Sequence, residues 1–191
     1  AVLDLALPRL EAGGRLLAKG LRLHVRGPEH LCMVGKNGAG KTTLLRQAAQ
    51  ELLGREDIKA AYMPQDYNEL LDGSCTPVEF LAKAGDKAES TKIKTYLGSM
   101  KYTPEEFNHP VAGLSGGQRA KLFFLKMILD GANVLVLDEP TRNLSPLSGP
   151  VIRALLRDFP GAIVSISHDR KYIKEVCSRV LALTGAGLVD L

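Results

Sequence analysis

The sequence contains no tryptophan and only three cysteines among its 191 residues. Cys32, Cys75 and Cys177 are odd in number and far apart, and their spacing is not typical of metal ligands. Disulfides persist mainly in oxidising compartments, and nothing in this cysteine pattern indicates one. We therefore predict a reduced, cytoplasmic protein with inert thiols.

Long hydrophobic runs and an N-terminal signal are also missing. The longest apolar runs have the length of a strand, well short of the roughly 20 residues that span a bilayer, so we predict no transmembrane helix. The chain opens Ala1-Val2-Leu3-Asp4, without a basic stretch followed by an apolar one, so we expect no signal peptide. It does not begin with methionine, and we expect it to be a piece of a longer protein.

The sequence does contain the average balance of a folded domain. Hydrophobic residues make up 45% and charged residues 24%, which excludes disordered and collagen-like chains. A chain of 191 residues is ample for one buried core. The net charge of +4 is compatible with a nucleic-acid or phosphate-rich partner but does not argue for one.

Short apolar runs typical of strands alternate with helical segments along most of the chain. Residues 31–34 and 134–137 are continuous apolar runs, as in strands buried on both faces. Residues 3–7 and 21–25 instead alternate apolar and polar residues, as half-buried strands do. The pattern predicts an α/β fold with a mainly parallel sheet flanked by helices and an antiparallel β part at the N-terminus. Further strands are predicted at 58–63, 162–167 and 180–183, and helices at 41–53, 118–129, 150–158 and 169–177.

Residues 66–113 show a different pattern. Two similar helix starts, Thr76-Pro77-Val78-Glu79 and Thr103-Pro104-Glu105-Glu106, offer a Thr cap, a Pro in the first turn and a Glu that can close a capping box. A lysine-rich helix is predicted around residues 92–101. We predict one domain of residues 1–191, in which a small helical subdomain of about residues 66–113 is inserted into a core of residues 1–65 and 114–191.

Residues 35–42 match the glycine-rich pattern G-x-x-x-x-G-K-[ST] of a phosphate-binding loop, the P-loop. Its glycines let backbone N–H groups turn inward around phosphate oxygens, and the helix that begins there adds its positive end. Lys41 can reach the β- and γ-phosphates, and the Thr42 hydroxyl can bind Mg²⁺. The predicted nucleotide-binding residues of this loop are Gly35, Lys36, Asn37, Gly38, Ala39, Gly40, Lys41, Thr42 and Thr43.

Two further motifs can take part in binding a metal or an anion. The apolar strand at residues 134–137 ends in Asp138, which can hold Mg²⁺ beside a P-loop, and Glu139, which can act as general base toward water. Ser115-Gly116-Gly117 directly precedes a helix, so its N–H groups, its hydroxyl and the helix end can form a second anion-binding turn. The alternative is that this turn is only a capped helix start.

Five motifs stand in the order found in the nucleotide-binding domains of ATP-binding-cassette (ABC) ATPases, which the chain resembles over essentially its whole length. They are the P-loop (Walker A), Gln65 after a strand, the signature segment Leu114, Ser115, Gly116, Gly117 and Gln118, the strand ending in Asp138 and Glu139, and His168 after a strand. The resemblance implies Mg²⁺-dependent hydrolysis of ATP in which Lys41, Glu139 and His168 are catalytic. It also implies that Thr42, Gln65 and Asp138 hold the metal, and that His168 hydrogen-bonds the γ-phosphate.

The same resemblance implies a partner cassette. Two such domains, from one polypeptide or from a homodimer, pack head to tail, so each ATP touches the P-loop of one and the signature segment of the other. An isolated domain should then be a weak ATPase. The sequence departs from the family in having no aromatic residue before Tyr62 to stack on adenine, so we expect Leu10 or another aliphatic residue to cover the base. It also has Ser145 where most relatives have an Asp that couples the two domains.

Three functions of such a domain remain open. Residues 118–122, 141–148 and 167–170 are similar to those of ABC-F proteins, which act on the ribosome and include antibiotic-resistance proteins. In that case the chain is the C-terminal one of two cassettes, and the ribosome, including its rRNA, is a partner. The alternative is the ATPase subunit of a membrane transporter, with a membrane subunit as its partner. The third possibility is a binding or structural module in which ATP serves as a clamp and hydrolysis is minor.

Overall fold

The computed structural model describes residues 1–82 and 87–191 of the chain. Four residues of the predicted helical subdomain, 83–86, therefore lie outside the described residues. In the described part, two short 3₁₀ helices, Asn68–Leu70 and Val111–Gly113, accompany the strands and α-helices. In chain order these are β1 (Leu3–Ala12), β2 (Arg15–Val25), β3 (His30–Val34), α1 (Lys41–Leu53), β4 (Ala60–Met63), α2 (Pro77–Leu81), α3 (Lys87–Ser99), α4 (Pro104–Asn108), α5 (Gly116–Leu129), β5 (Val134–Asp138), α6 (Ser148–Arg157), β6 (Ala162–Ile166), α7 (Arg170–Val176), β7 (Arg179–Thr184) and β8 (Gly187–Asp190).

Six strands form one sheet in the order β4-β5-β6-β3-β7-β8. All neighbouring pairs are parallel except β7 and β8, which are antiparallel. The continuous apolar runs of β3, β5 and β6 are almost wholly buried, as central strands covered on both faces require. The predicted α/β fold with a mainly parallel sheet is confirmed. β8 was not predicted, because Leu188 and Val189 are too short an apolar run to indicate a strand.

β1 and β2 form a separate antiparallel pair that is joined by Gly13 and Gly14. These glycines have φ angles of 57° and 77°, as a two-residue hairpin turn requires. The predicted strands at 3–7 and 21–25 are too short, because the alternation of apolar and polar residues fades at Pro8 and Gly20 while the strands continue to the turn. The Gly13-Gly14 pair between the two segments is the sequence feature that marks where β1 ends and β2 begins.

Helix α1 contacts both sheets and carries part of the core between them. Leu44, Leu45, Ala48 and Leu52 are fully buried on one face, which is the i, i+3, i+4 spacing of an amphipathic helix. The helix spans the predicted residues, and the Gly54 N–H donates to the Gln50 carbonyl at 3.2 Å where it ends. This packing fixes the direction of α1, and so the position of its N-terminus beside the P-loop.

The chain divides into two compact units. The first comprises Ala1–Gln65, Ala132–Arg142 and Arg153–Leu191, and the second comprises Asp66–Gly131 and Asn143–Ile152. The second unit is larger than the predicted insertion of residues 66–113, because α5 packs within it. The Tyr102 hydroxyl donates to the Gln118 carbonyl, and Lys121 Nζ donates to the Met100 carbonyl at 3.3 Å.

Both predicted capping boxes of the second unit are present. Thr76 Oγ1 accepts a hydrogen bond from the Glu79 N–H. In return, the Glu79 carboxylate accepts one from the Thr76 N–H at 2.7 Å. Thr103 and Glu106 make the same reciprocal pair at the start of α4. Within residues 1–82 and 87–191, no helix combines the length and hydropathy that a membrane span needs.

Candidate nucleotide-binding site

Four segments with predicted site residues follow four adjacent parallel strands. The P-loop follows β3, His168 follows β6, Glu139 follows β5, and Gln65 follows β4. Because the carboxyl ends of parallel strands meet at one edge of a sheet, these residues come together there. They line a cavity of about 840 Å³ formed by residues of the first unit.

Most predicted site residues line this cavity, and the sequence missed several that also do. The predicted ones are Asn37, Gly38, Gly40, Lys41, Thr42, Thr43, Gln65, Asp138, Glu139 and His168. Those not predicted are Ala12, Arg15, Leu17, Arg142 and Ile166. Gly35, Lys36 and Ala39 belong to the loop, but they are not among the residues that line the cavity.

The backbone of the P-loop depends on its glycines. Gly35, Gly38 and Gly40 have φ angles of 148°, 78° and 98°, which other residues rarely adopt. A Cβ at Gly40 would also lie 2.7 Å from Leu17 Cδ1 and 3.0 Å from Leu10 Cδ2. No side chain caps the start of α1, and no acidic residue lies in its first turn. The positive end of α1 is therefore suited to an anion.

Lys41 is the buried cation of this loop, with a relative exposure of 7%. Its Nζ donates to the Gly35 carbonyl at 2.8 Å and to the Lys36 carbonyl at 3.0 Å. Both acceptors belong to the loop itself, so the loop holds its own ammonium group beside the N-terminus of α1. Phosphate oxygens can replace these neutral acceptors in stronger, charge-assisted hydrogen bonds.

Asp138 carries a buried carboxylate oxygen without a partner. The residue is 2% exposed, and its Oδ2 makes no hydrogen bond to any residue in 1–82 or 87–191. Burial raises the pKa of this carboxyl above its usual range, although the nearby Thr42 hydroxyl and the charges of Arg46 and Lys41 oppose the shift. Such an unpaired carboxylate costs stability unless a cation or donor satisfies it.

The surroundings of Asp138 fit Mg²⁺. Mg²⁺ prefers oxygen ligands and is usually bound through one or two carboxylates plus water and substrate phosphates. Thr42 and Gln65 offer further oxygens in the same cavity. Nowhere in the described residues, this cavity included, could a group of three or more His, Cys, Asp or Glu hold a metal.

Replacing Asp138 with Asn should raise the free energy of unfolding of the nucleotide-free, Mg²⁺-free chain at pH 7. Because the pKa of Asp138 is raised, its ionisation costs more in the folded than in the unfolded chain, and stability falls as the pH rises above the usual Asp range. The neutral amide removes that cost. Urea unfolding in EDTA measures the change, and a variant less stable than the parent would contradict the burial argument.

Glu139 and His168 contact each other at the edge of the cavity. The Glu139 N–H donates to the Ile166 carbonyl at 2.9 Å, and its φ of 52° is unusual for a residue other than glycine. The Glu139 carboxylate accepts from the His168 N–H at 3.3 Å and lies 3.5 Å from His168 Nε2. His168 can thus orient the carboxylate, and strained backbone of this kind is found mainly at functional sites.

Comparison with known proteins decides the family. Residues 18–142 match the family described as ABC transporter. The chain belongs to this family. The predicted resemblance to ABC ATPases is therefore confirmed.

The similar relatives of this cassette include several F-family members. The chain is 30% identical over 184 residues to ABC transporter F family member 5 of Arabidopsis thaliana, which covers 92% of this chain. It is 33% identical over 169 residues to the putative ATP-binding protein YdiF of Bacillus subtilis, which covers 85% of this chain. The chain spans only about a quarter of these relatives, 27% and 26% of their lengths.

A solved structure supports the fold of the cassette. It is described as the dimeric, post-hydrolysis state of the ATP-binding cassette MJ0796 bound to ADP and phosphate. The TM-score is 0.75 with 18% identity, over 98% of this chain and 95% of the other. At this identity the likeness shows the fold alone.

The signature segment of the cassette lies in the second unit, and none of residues 114–118 lines the cavity described above. Ser115 caps α5, since its Oγ accepts from the Gln118 N–H at 3.2 Å. Gln118 Nε2 donates to Glu106 Oε1 at 3.1 Å, while Gln118 Oε1 is buried and has no partner in the described residues. The segment is thus a capped helix start with a rigid N-terminal turn.

Gly117 should tolerate no side chain, whereas its neighbour Gly116 should. A Cβ at Gly117 would lie 2.2 Å from Ser148 Oγ and 2.7 Å from Ser148 Cβ, but at Gly116 the nearest atom is the Asn143 carbonyl oxygen at 4.0 Å. Gly117→Ala should therefore lower the free energy of unfolding by about 1–3 kcal/mol, the usual cost of overpacking. Adding Ser148→Gly should recover most of it. Equal losses for Gly116→Ala and Gly117→Ala in urea unfolding would refute the steric explanation.

The expected cover for the base was wrong in one respect. Leu10 is 1% exposed and packs in the core, so it cannot cover a nucleotide base. Leu17, which is partly buried, lines the cavity together with Ala12 and Arg15 at the tip of the β1–β2 hairpin. These residues were missed because the predicted strands stopped short of the turn. Leu17 is an aliphatic residue that the cavity offers at this hairpin.

Proposed function

We propose that this cassette binds ATP with Mg²⁺ in the cavity of the first unit and hydrolyses it together with a second cassette. One observation carries the proposal. The cavity combines a glycine loop with a buried lysine, an unpartnered Asp138 oxygen, and a Glu139 carboxylate in contact with His168. Together these groups provide the phosphate binding, charge neutralisation and base that phosphoryl transfer uses.

Binding of the triphosphate uses the loop and the start of α1. The N–H groups of residues 35–43 and the positive helix end surround the phosphates, and Lys41 exchanges its carbonyl acceptors for phosphate oxygens. Thr42, Gln65 and Asp138 would hold Mg²⁺, which when bound neutralises charge on the β- and γ-phosphates. Asp138 then gains the partner that its buried oxygen lacks.

Glu139 is the base of the proposed reaction. Its carboxylate accepts a proton from a water that is in line with the γ-phosphate, so that the water attacks as the phosphate leaves ADP. His168 keeps the carboxylate in place through its backbone N–H and its ring. Most of the acceleration should come from positioning and electrostatics, because phosphoryl transfer leaves the protein little covalent work.

The second cassette supplies the signature segment. The turn before α5 has a small hydroxyl, two glycines and a helix N-terminus, which suit the far side of a triphosphate. The dimeric state named for MJ0796 supports such a partner, whether it comes from the same polypeptide or from a second copy.

The rate of ATP hydrolysis at rising protein concentration tests the shared site. If two chains build each site, activity per chain should be feeble and should increase with concentration until dimers saturate. A constant specific activity over a hundredfold range would contradict it.

For the complete protein we propose an ABC-F function in the cytoplasm, with the ribosome as partner and this chain as one of two cassettes. The F-family relatives support it, together with residues 167–170, which keep the ABC-F form of the histidine loop. In that function the complete protein would act as a translation factor or as an antibiotic-resistance protein. Co-sedimentation of the full-length protein with ribosomes, with and without ATP, tests the proposal. ATP-dependent pelleting supports it, and association with membranes alone would favour the transporter subunit.

A further inference from the structure

Arg142 is a cavity residue for which the P-loop chemistry described above has no role. It follows Glu139 by three positions and lines the same cavity as Lys41, Asp138 and Glu139. Its side chain is exposed, and its positive charge opposes the burial-driven rise in the pKa of Asp138. The guanidinium therefore lies at the end of the cavity that holds the two carboxylates.

The backbone that carries Arg142 is firmly held. The Arg142 N–H donates to the Glu139 carbonyl at 3.0 Å, and the Glu139 N–H is bound to the strand β6 at the Ile166 carbonyl. Thr141 Oγ1 donates to Asp169 Oδ2 at 2.9 Å, next to the start of α7. The turn is thus attached at both of the elements that flank the site, and Arg142 departs from a fixed point.

The side chain of Arg142, in contrast, has no partner. Throughout residues 1–82 and 87–191 it makes no hydrogen bond and no ion pair within 4.0 Å, although Asp138 and Glu139 line the same cavity. Lys41, another cation of this cavity, is already bound to two carbonyls. Arg142 is therefore a free cation on a rigid turn, available to an anion that enters the cavity.

The position of Glu139 identifies which phosphate this anion is. A general base must lie within hydrogen-bond reach of the water that attacks the γ-phosphate. The Glu139–Arg142 turn is therefore at the terminal-phosphate end, while the P-loop and the start of α1 hold the inner phosphates. A guanidinium binds phosphate through two parallel N–H donors, which gives both charge and orientation.

We propose that Arg142 binds the terminal phosphate of ATP and so makes the cassette distinguish ATP from ADP. This inference rests on the proposed function, because it needs ATP in the cavity. Arg142 loses its contact when the γ-phosphate leaves, so its contribution to ADP binding is small. When the Arg142 guanidinium lies between Glu139 and the phosphate, its positive charge also lowers the repulsion between the Glu139 carboxylate and the nucleotide.

The test compares Arg142→Gln with Arg46→Gln in the full chain. Arg46 also acts electrostatically on Asp138, but it does not line the cavity. Arg46→Gln therefore removes the same charge as Arg142→Gln without removing a group that could contact the nucleotide. Calorimetric titration with Mg²⁺ and either ADP or an ATP analogue with a non-hydrolysable β–γ bridge gives both affinities. Arg142→Gln should weaken binding of the analogue by about 10- to 100-fold, as expected for a charged hydrogen bond, and change ADP binding little.

The remaining outcomes separate this inference from the proposed function. Arg142→Lys should recover part of the affinity for the analogue, since it restores the charge without the two parallel donors. Equal losses for Arg46→Gln and Arg142→Gln, or equal losses for analogue and ADP, would overturn the role of Arg142 and leave the P-loop site intact. If the parent chain bound neither nucleotide, the proposed function itself would fail.

Discussion

Replacing Glu139 with Gln should lower the rate of ATP hydrolysis by about 10²- to 10⁴-fold, the usual contribution of a general base. The amide keeps the size of the side chain and can still accept from the His168 N–H, now at 3.3 Å, but it cannot take a proton from water. ATP binding should therefore persist, and the closed pair of cassettes should accumulate. Sedimentation velocity with Mg²⁺ and ATP measures that accumulation, and phosphate release measures the rate.

Glu51→Gln is the matched control for this variant. Glu51 is an exposed carboxylate on α1 that does not line the cavity, so its loss should leave hydrolysis unchanged. Were Glu139→Gln to hydrolyse ATP at the parental rate, another group would have to be the base.

Replacing Lys41 with Ala should weaken the binding of both ATP and ADP by about 10- to 100-fold, because one charge-assisted hydrogen-bonding group is lost. The Lys41 ammonium is 2.8 Å from the Gly35 carbonyl and lies at the start of α1, where we propose that the inner phosphates bind. Its effect should extend to ADP, unlike that of Arg142. Titration calorimetry with each nucleotide gives the two affinities.

Lys126→Ala removes a half-buried lysine outside the cavity that pairs with Asp130 at 2.9 Å, and it should leave both affinities unchanged. Circular dichroism should show that Lys41→Ala is folded. Unchanged nucleotide affinity in a folded Lys41→Ala variant would refute the P-loop assignment.

The sequence sufficed for those parts of the site that follow a buried strand. The P-loop, Asp138 and Glu139 each come directly after a continuous apolar run, and central parallel strands must place their carboxyl ends together. Helix α1 was predicted to the residue, since its apolar spacing and Gly54 both mark its extent. His168 and Gln65 were found only through the family resemblance, because a single His or Gln after a strand has no distinctive pattern.

The missed parts depend on contacts between distant segments. Leu17 and Arg15 line the cavity only because the β1–β2 hairpin continues to Gly13 and Gly14, beyond the point where the alternation fades. Helix α5 belongs to the second unit through two hydrogen bonds between residues 16 and 21 positions apart in sequence. The Tyr102 hydroxyl donates to the Gln118 carbonyl, and Lys121 Nζ donates to the Met100 carbonyl. Arg142 belongs to the site because the turn after Glu139 is tight, and its sequence alone shows no such geometry.

A crystal structure of the Glu139→Gln variant grown with ATP and Mg²⁺ is the most direct test of the shared site. We expect the triphosphate against residues 35–43 of one cassette, with Lys41 moved from its own carbonyls to the phosphates. We expect the Ser115 hydroxyl of a second cassette on the opposite side. A nucleotide bound outside the glycine loop, or a loop in which Lys41 still holds Gly35 and Lys36 beside bound ATP, would contradict the account.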